Sequence, residues 1–313
     1  MLCISSGSCQ NESQSEQPAV EQSPEVTADS GTIAAGRWNL RYRVEGTGTP
    51  ALVIGSSLYY PRAFSPELRS HLKMAFVDHR GFAPAIPGPF DPPTDFDLDV
   101  LIDDIERART ELGWGRVVAI GHSGHSFMAL EYAKKYPDSV SHVVMIGIGP
   151  DISPAALEAT ERNWEETASA ERKALLEESL KRHPDSELES LSESEAFILD
   201  YVRRGPRIWY DPAFDSSPLW EGMDVNTQMF DYVWGNLFRN IDITQGLEEL
   251  DRPVFLALGR FDYLVPPPEA WEPLRPHFKD LTVQVFEKSG HTPQLEQPSE
   301  FDAALLDWIH SRE

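Results

Sequence analysis

The ten residues Val117 to Ser126, Val-Val-Ala-Ile-Gly-His-Ser-Gly-His-Ser, constrain the fold of this chain more than any other segment. Four apolar residues, β-branched ones among them, describe a buried strand. Gly121 follows, and a helical pattern (Phe127, Met128, Leu130, Tyr132, Ala133) starts at once and ends at Tyr136-Pro137. A chain that passes from strand to helix within three residues holds its turn residue in a strained conformation, with the side chain raised above the sheet edge. The helix start behind that residue offers unpaired N–H groups, which suit a developing oxyanion. Ser123 occupies the turn and is the candidate nucleophile. The run departs from Gly-x-Ser-x-Gly at its last position, where His125 stands. Ser126 repeats the local pattern but falls inside the helix.

Two further strands carry the partners such a serine needs. Pro253 to Leu258 runs into Gly259-Arg260-Phe261-Asp262, and Leu281 to Phe286 runs into Glu287-Lys288-Ser289-Gly290-His291. An acid and a histidine thus each follow the C-terminal end of a strand, in the chain order Ser, Asp, His. The stretch between them holds one strand and one expected helix, about Pro268 to Phe278, so both residues emerge at the sheet edge that carries Ser123. A serine hydroxyl needs a base to take its proton during attack. His291 is that base, because an imidazole titrates near ~6.5 and works in both directions. Asp262 orients it. Asp251, the other acid nearby, precedes its strand and belongs to the wrong end of the sheet.

These motifs together resemble the α/β-hydrolase fold family over about residues 36–150 and 236–313. Asn39 to Pro50 looks like its opening hairpin, Phe76-Val-Asp-His-Arg-Gly81 like its Asp-x-Arg-Gly turn, and Ser289 to Glu296 like its histidine loop. The resemblance implies an α/β architecture: a mostly parallel eight-stranded sheet flanked by helices, with a helical lid insert. It also implies a Ser123-His291-Asp262 triad, with one oxyanion donor at the Gly124 N–H. The second donor comes from the loop Gly55-Ser56-Ser57-Leu58-Tyr59-Tyr60. Alignment by strand length puts it at Ser57; a shift by one puts it at Ser56. A Tyr59 or Tyr60 hydroxyl is a further candidate to point into the site, with Tyr59 the candidate for the substrate wall. The proline-iminopeptidase-like branch is the nearest, though it tends to have Gly-Gly-Ser-Trp-Gly at the elbow. Dehalogenase and epoxide hydrolase relatives use an aspartate there, so Ser123 excludes them.

Between the strand Val140 to Ile146 and Pro253 lies the expected lid, residues 151–235. Ser153-Pro154 starts a helix, Ser192-Glu-Ser-Glu195 is a capping box closed at Arg203, and a third helical stretch spans Thr227 to Phe238. From Asp151 to Asp231 there are 19 acids against 8 Lys or Arg. Trp164-Glu165-Glu166 resembles the Trp-Glu of the iminopeptidase lid, which makes Glu165 and Glu166 candidates for holding a substrate amine. Trp209, Tyr210, Phe230 and Trp234 are expected to roof an apolar pocket.

Several classes are excluded. A net charge of −24 repels nucleic acid and anionic membrane surfaces. No apolar run approaches the ~20 residues that span a bilayer. His79, His122 and His125 lack the spacing of a metal site. His122, preceding the nucleophile on its strand, is expected to point away from it, and His125 to bond within the core or shape the site wall. Neither a metal nor another cofactor is implied.

Residues 1–30 stand apart. Gln10 to Ser30 has five acids, no Lys or Arg, and cannot bury a core, so disorder is expected. Met1 to Cys9 resembles the end of a bacterial lipoprotein signal, although a basic start and a full apolar stretch are missing. A signal upstream of Met1 would make the protein lipid-anchored or exported; otherwise it is a cytoplasmic enzyme with a tail.

The sequence therefore points to a serine hydrolase core (31–150 and 236–313) acting on a small molecule or short peptide. A proline-releasing aminopeptidase and a carboxylesterase are the competing activities. A hydrolase-fold binding protein without turnover is the reading from another class. The oligomeric state is open.

Overall fold

The computed structural model describes residues 29–86 and 88–312. The expectations for Met1 to Cys9 and for most of the tail lie outside these residues. Asp29 and Ser30, placed in the tail by composition, already belong to a strand.

Eight strands form one sheet: β1 (Asp29–Ala35), β2 (Trp38–Glu45), β3 (Thr49–Gly55), β4 (Leu72–Asp78), β5 (Val117–His122), β6 (Val140–Ile146), β7 (Val254–Gly259) and β8 (Leu281–Phe286). Their spatial order is β1-β2-β4-β3-β5-β6-β7-β8. The β1–β2 hairpin begins ten residues before Asn39, turning at Gly36, whose φ of +63° suits a residue without a Cβ. β2 meets β4 antiparallel, and every pair from β4 to β8 is parallel. Parallel strands are covered on both faces, which is why β3, β5, β6 and β7 read as near-continuous apolar runs. Each of these strands is buried through most or all of its length.

Register aligns the functional ends. Gly55 pairs with Asp78, and His122 with Ile146, so the loops after β3, β4, β5 and β6 leave the sheet side by side. The helix His125–Lys135 follows β5 directly and is buried on most of its first two turns. The last helix, Pro298–His310, runs from the prolines after the β8 loop and buries Phe301, Leu305 and Trp308.

The insertion between β6 and β7 is helical. Ser153 caps Pro154–Thr167 by accepting the Ala156 N–H at 3.2 Å. Ser192 and Glu195 form the expected reciprocal box on Glu193–Arg203. A helix not anticipated from the sequence, Ala170–Arg182, starts at the Ser169 cap. Its Arg172 is buried and donates to the carbonyls of Pro206 (2.7 Å) and Trp209 (2.6 Å), locking the insertion together.

Two expected helices are built differently. The stretch from Thr227 is a helix to Tyr232, then a π-turn over Val233–Leu237, then Phe238–Asn240. Pro268 to Phe278 is two 3₁₀ turns, Pro268–Trp271 and Arg275–His277, because Pro273 and Pro276 each remove an N–H that a continuous helix would use.

Candidate active site

Ser123 has φ +56°, the one positive φ outside glycine among the described residues. That conformation is strained for an L-residue and marks the turn the motif requires. Its N–H bonds the Ile146 carbonyl at 2.8 Å and its carbonyl accepts from Ser126 at 2.8 Å. The glycine on either side answers a space constraint. A Cβ at Gly121 would run into the His125 carbonyl, and one at Gly124 into the indole of Trp234. Ser126 is inside the helix, where its Oγ donates to the Gly121 carbonyl at 2.9 Å.

Asp262 and His291 meet as the sequence suggested. Asp262 Oδ2 lies 2.7 Å from His291 Nδ1, with Asp262 4% and His291 1% exposed. The other carboxylate oxygen accepts the Leu264 N–H at 2.9 Å. A carboxylate at Nδ1 puts the proton there and leaves the Nε2 lone pair for a substrate-side proton. Among the described residues Ser123 Oγ makes no hydrogen bond to His291; such contacts are often open without ligand. The histidine loop is clamped by Glu296, which accepts from the N–H groups of Tyr210 (2.6 Å), Gly290 (3.0 Å) and Thr292 (3.0 Å). The motif carried Glu296, but its role as a clamp was not anticipated.

The loop after β3 departs from expectation. The Ser57 N–H donates to Asp78 Oδ1 at 2.7 Å, so it is engaged and not free for an oxyanion. Burial pushes the Asp78 carboxyl upward, and the Ser57 N–H and Arg41 hold it back. Ser56 lines the cavity instead, its Oγ accepting from the Leu58 and Tyr59 N–H groups at 3.1 Å each. The register of this loop depends on a bond to the end of β4, which strand length does not reveal.

A cavity of about 430 Å³ opens over Ser123. Ser56, Tyr60, His122 and His125 line its floor beside the serine; Tyr59, Phe197, Tyr201, Trp220, Phe230 and Trp234 line the rest. Trp220 sits edge-on between Tyr59 (5.1 Å) and Tyr201 (5.0 Å). Burial pushes both tyrosine hydroxyls well above their ordinary range. Trp234, set by the π-turn, packs 4.6 Å from Phe230 and 5.3 Å from His125. Phe197 and Tyr201 were not foreseen, although their i,i+4 spacing on one helix was a readable signal. Asp231 and Arg239 are the charged residues on the rim, and both are exposed.

Other expected wall residues lie elsewhere. Glu165 is on an exposed helix face, paired with Lys173 at 2.7 Å, and Glu166 is exposed beside it; neither lines the cavity. Trp164 turns inward onto Tyr263. Trp209 packs on Phe214 and Tyr210 on Phe261, away from the cavity. His122, expected to point away, faces the cavity and lies 4.8 Å from the His291 ring. The position before Ser123 is the last residue of β5, and there the pleat gives way to the turn.

Burial holds His79, His122 and His125 neutral, with His125 lowered to about 4. His79 Nδ1 accepts the Gly81 N–H at 2.7 Å. Among the described residues no group of three or more His, Cys, Asp or Glu is placed to hold a metal ion.

Residues 47–298 match a family model described as the alpha/beta hydrolase fold. The chain is 39% identical over 280 residues to the AB hydrolase superfamily protein YclE of Bacillus subtilis (strain 168), covering 90% of this chain and 98% of that one. It is 27% identical over 308 residues to a proline iminopeptidase of Heyndrickxia coagulans, covering 89% and 97%. The crystal structure of VinJ superposes with a TM-score of 0.67 at 18% identity, over 92% of this chain and all of the other.

Proposed function

The chain belongs to the α/β-hydrolase family, and from that premise we propose that it is a serine hydrolase cleaving a small neutral ester through an acyl-enzyme. Ser123 attacks the acyl carbonyl as His291 Nε2 takes its proton, while Asp262 fixes the tautomer and stabilises the imidazolium. The backbone N–H groups of Gly124 and Ser56 receive the oxyanion. The imidazolium returns the proton to the leaving alcohol, and a water activated by the same histidine releases the acid. Residues 151–235 act as the lid over a core of 31–150 and 236–313. The observation that carries this reading is the buried 2.7 Å bond between Asp262 and His291, set beside a serine held at positive φ.

The neutral substrate rests on the cavity. Its walls are aromatic, and the acids expected to capture an amine face solvent. The second reading, an aminopeptidase, draws on the iminopeptidase relative, with Asp231 as the carboxylate at the rim. The test is to block the amine. An aminopeptidase loses about 10- to 150-fold in kcat/KM when a prolyl p-nitroanilide is acetylated, the value of a charge-assisted bond of about 1.5–3 kcal/mol. The esterase reading expects p-nitrophenyl butyrate to be turned over, acetylation to change the anilide rate by less than about 3-fold, and Glu165→Gln with Glu166→Gln to leave both unchanged. A loss on acetylation would transfer the assignment to the aminopeptidase.

A further inference from the structure

We propose that His122 is a positioning residue that holds the His291 loop in register with Ser123 and is itself oriented by Tyr60; the proposal rests on the serine-hydrolase reading. The bonds that define it can be assigned donor by donor. His122 Nε2 lies 2.9 Å from the His291 carbonyl, which can only accept, so Nε2 carries the proton. In a neutral ring Nδ1 is then an acceptor, and Tyr60 Oη, 3.3 Å away, donates to it. His125 Nδ1 lies 3.0 Å from the His122 carbonyl, so it too carries a proton, and it shares that proton with Tyr60 Oη at 3.0 Å. The tyrosine hydroxyl thus accepts from one histidine and donates to the other. No alternative tautomer satisfies both carbonyls.

The chain of bonds crosses three separate loops. Tyr60 follows β3 next to the oxyanion loop, His122 immediately precedes the nucleophile, and His291 follows β8. The backbone of His291 is otherwise tied by its N–H to the Ile208 carbonyl at 2.6 Å, a residue of the helical insertion. His122 is therefore the bond that references the base to the nucleophile's own strand. The ring has to stay neutral to act this way, since a second cation 4.8 Å from His291 would oppose formation of the imidazolium. Burial, and the adjacent His291, push it well below the ordinary imidazole range.

The experiment is the rate of labelling by a fluorophosphonate probe, resolved into binding and inactivation, on His122→Phe, His122→Gln and Tyr60→Phe. Phenylalanine keeps the ring and removes the donor, while the glutamine amide keeps a donor near Nε2. A misplacement of order 1 Å costs about 100-fold in reactivity. His122→Phe is expected to slow inactivation by about 10- to 100-fold with probe binding within about 2-fold, and His122→Gln to recover most of that loss. Tyr60→Phe, which removes a single hydroxyl and is the second variant should His122→Phe fail to fold, should slow inactivation by about 3- to 10-fold. Equal losses in the Phe and Gln variants, or normal inactivation in His122→Phe and Tyr60→Phe, would overturn the proposal while leaving the hydrolase reading intact. A wild-type protein that takes no label overturns the hydrolase reading, and this one with it.

Discussion

The floor and the roof of the cavity hold their shape by different means. On the floor, Ser56, His122 and Ser123 stand at strand ends, and they and the neighbouring His291 loop are placed by directed bonds of 2.6 to 3.3 Å to backbone and to one another. Across from them, Phe197, Trp220, Phe230 and Trp234 meet mainly ring to ring at 4.6 to 6.2 Å, and the helices that carry Phe197 and Phe230 expose Glu193, Glu195 and Asp231 to water. Directed bonds have one solution, so the floor fixes chemistry. Ring packing has several, so the roof fixes shape, and substrate choice is the property expected to respond to changes there.

The sharpest way to break this division is at Ser123, the proposed nucleophile. Ser123→Ala is expected to lower turnover by about 10⁴-fold or more and to abolish fluorophosphonate labelling. Ser126→Ala should keep the label and instead lose about 1–3 kcal/mol of stability, because its Oγ is a buried bond between the Gly121 carbonyl and the Ile146 N–H. A labelled peptide bearing Ser126 would put the floor in the wrong register.

A smaller effect tests the roof. Trp234→Ala removes the ring that lies against Gly124 and should raise KM for short-chain p-nitrophenyl esters by about 10-fold, while moving the preference toward longer acyl chains. The kcat for the best substrate should hold within a few-fold. A collapse of kcat with chain-length preference unchanged would make Trp234 part of the floor.

The smallest effect separates the two regions by pH. His122 and His125 at the floor, and His79 packed on His125, are all buried and held below the ordinary imidazole value. Below about pH 6.5 the unfolded chain binds protons at these positions that the folded chain refuses, so stability falls as the pH falls. For His125, lowered to about 4, the loss between pH 7.5 and 5.5 is about 1.4 kcal/mol. Unfolding free energies from urea titrations at the two pH values should differ less in His125→Asn than in the wild type, by about that amount. An unchanged difference would show that His125 is protonated in the folded protein.

The same division explains what could be read in advance. Strands β5, β7 and β8 announce themselves by apolar runs, and a nucleophile, acid and base must follow strand ends in any open parallel sheet, so Ser123, Asp262 and His291 were visible as positions. The choice between Ser57 and Ser56, and the inward turn of His122, were not. They depend on which N–H Asp78 captures and on how the last residue of β5 twists into the turn, both of which are contacts between distant segments. For the roof, helix caps at Ser153 and Ser192 were legible because capping is local. Which faces turn inward was not: the density of acids around Glu165 suggested a binding surface, yet Glu165 pairs with Lys173 and the burial falls to Trp164.

The π-turn at Val233–Leu237 has a consequence for how such a protein can diversify. A π-turn closes its hydrogen bonds over one residue more than an α-turn, and each helical residue advances the chain by about 100°. The direction in which Trp234 and the residues after it point is therefore carried by a count of residues and not by their identity. Deleting one residue in this segment swings the downstream wall through more than a quarter of a revolution, whereas point substitutions only resize it. Changes in length, which ordinary mutational scans omit, are the coarse control on the cavity, and changes in composition the fine one.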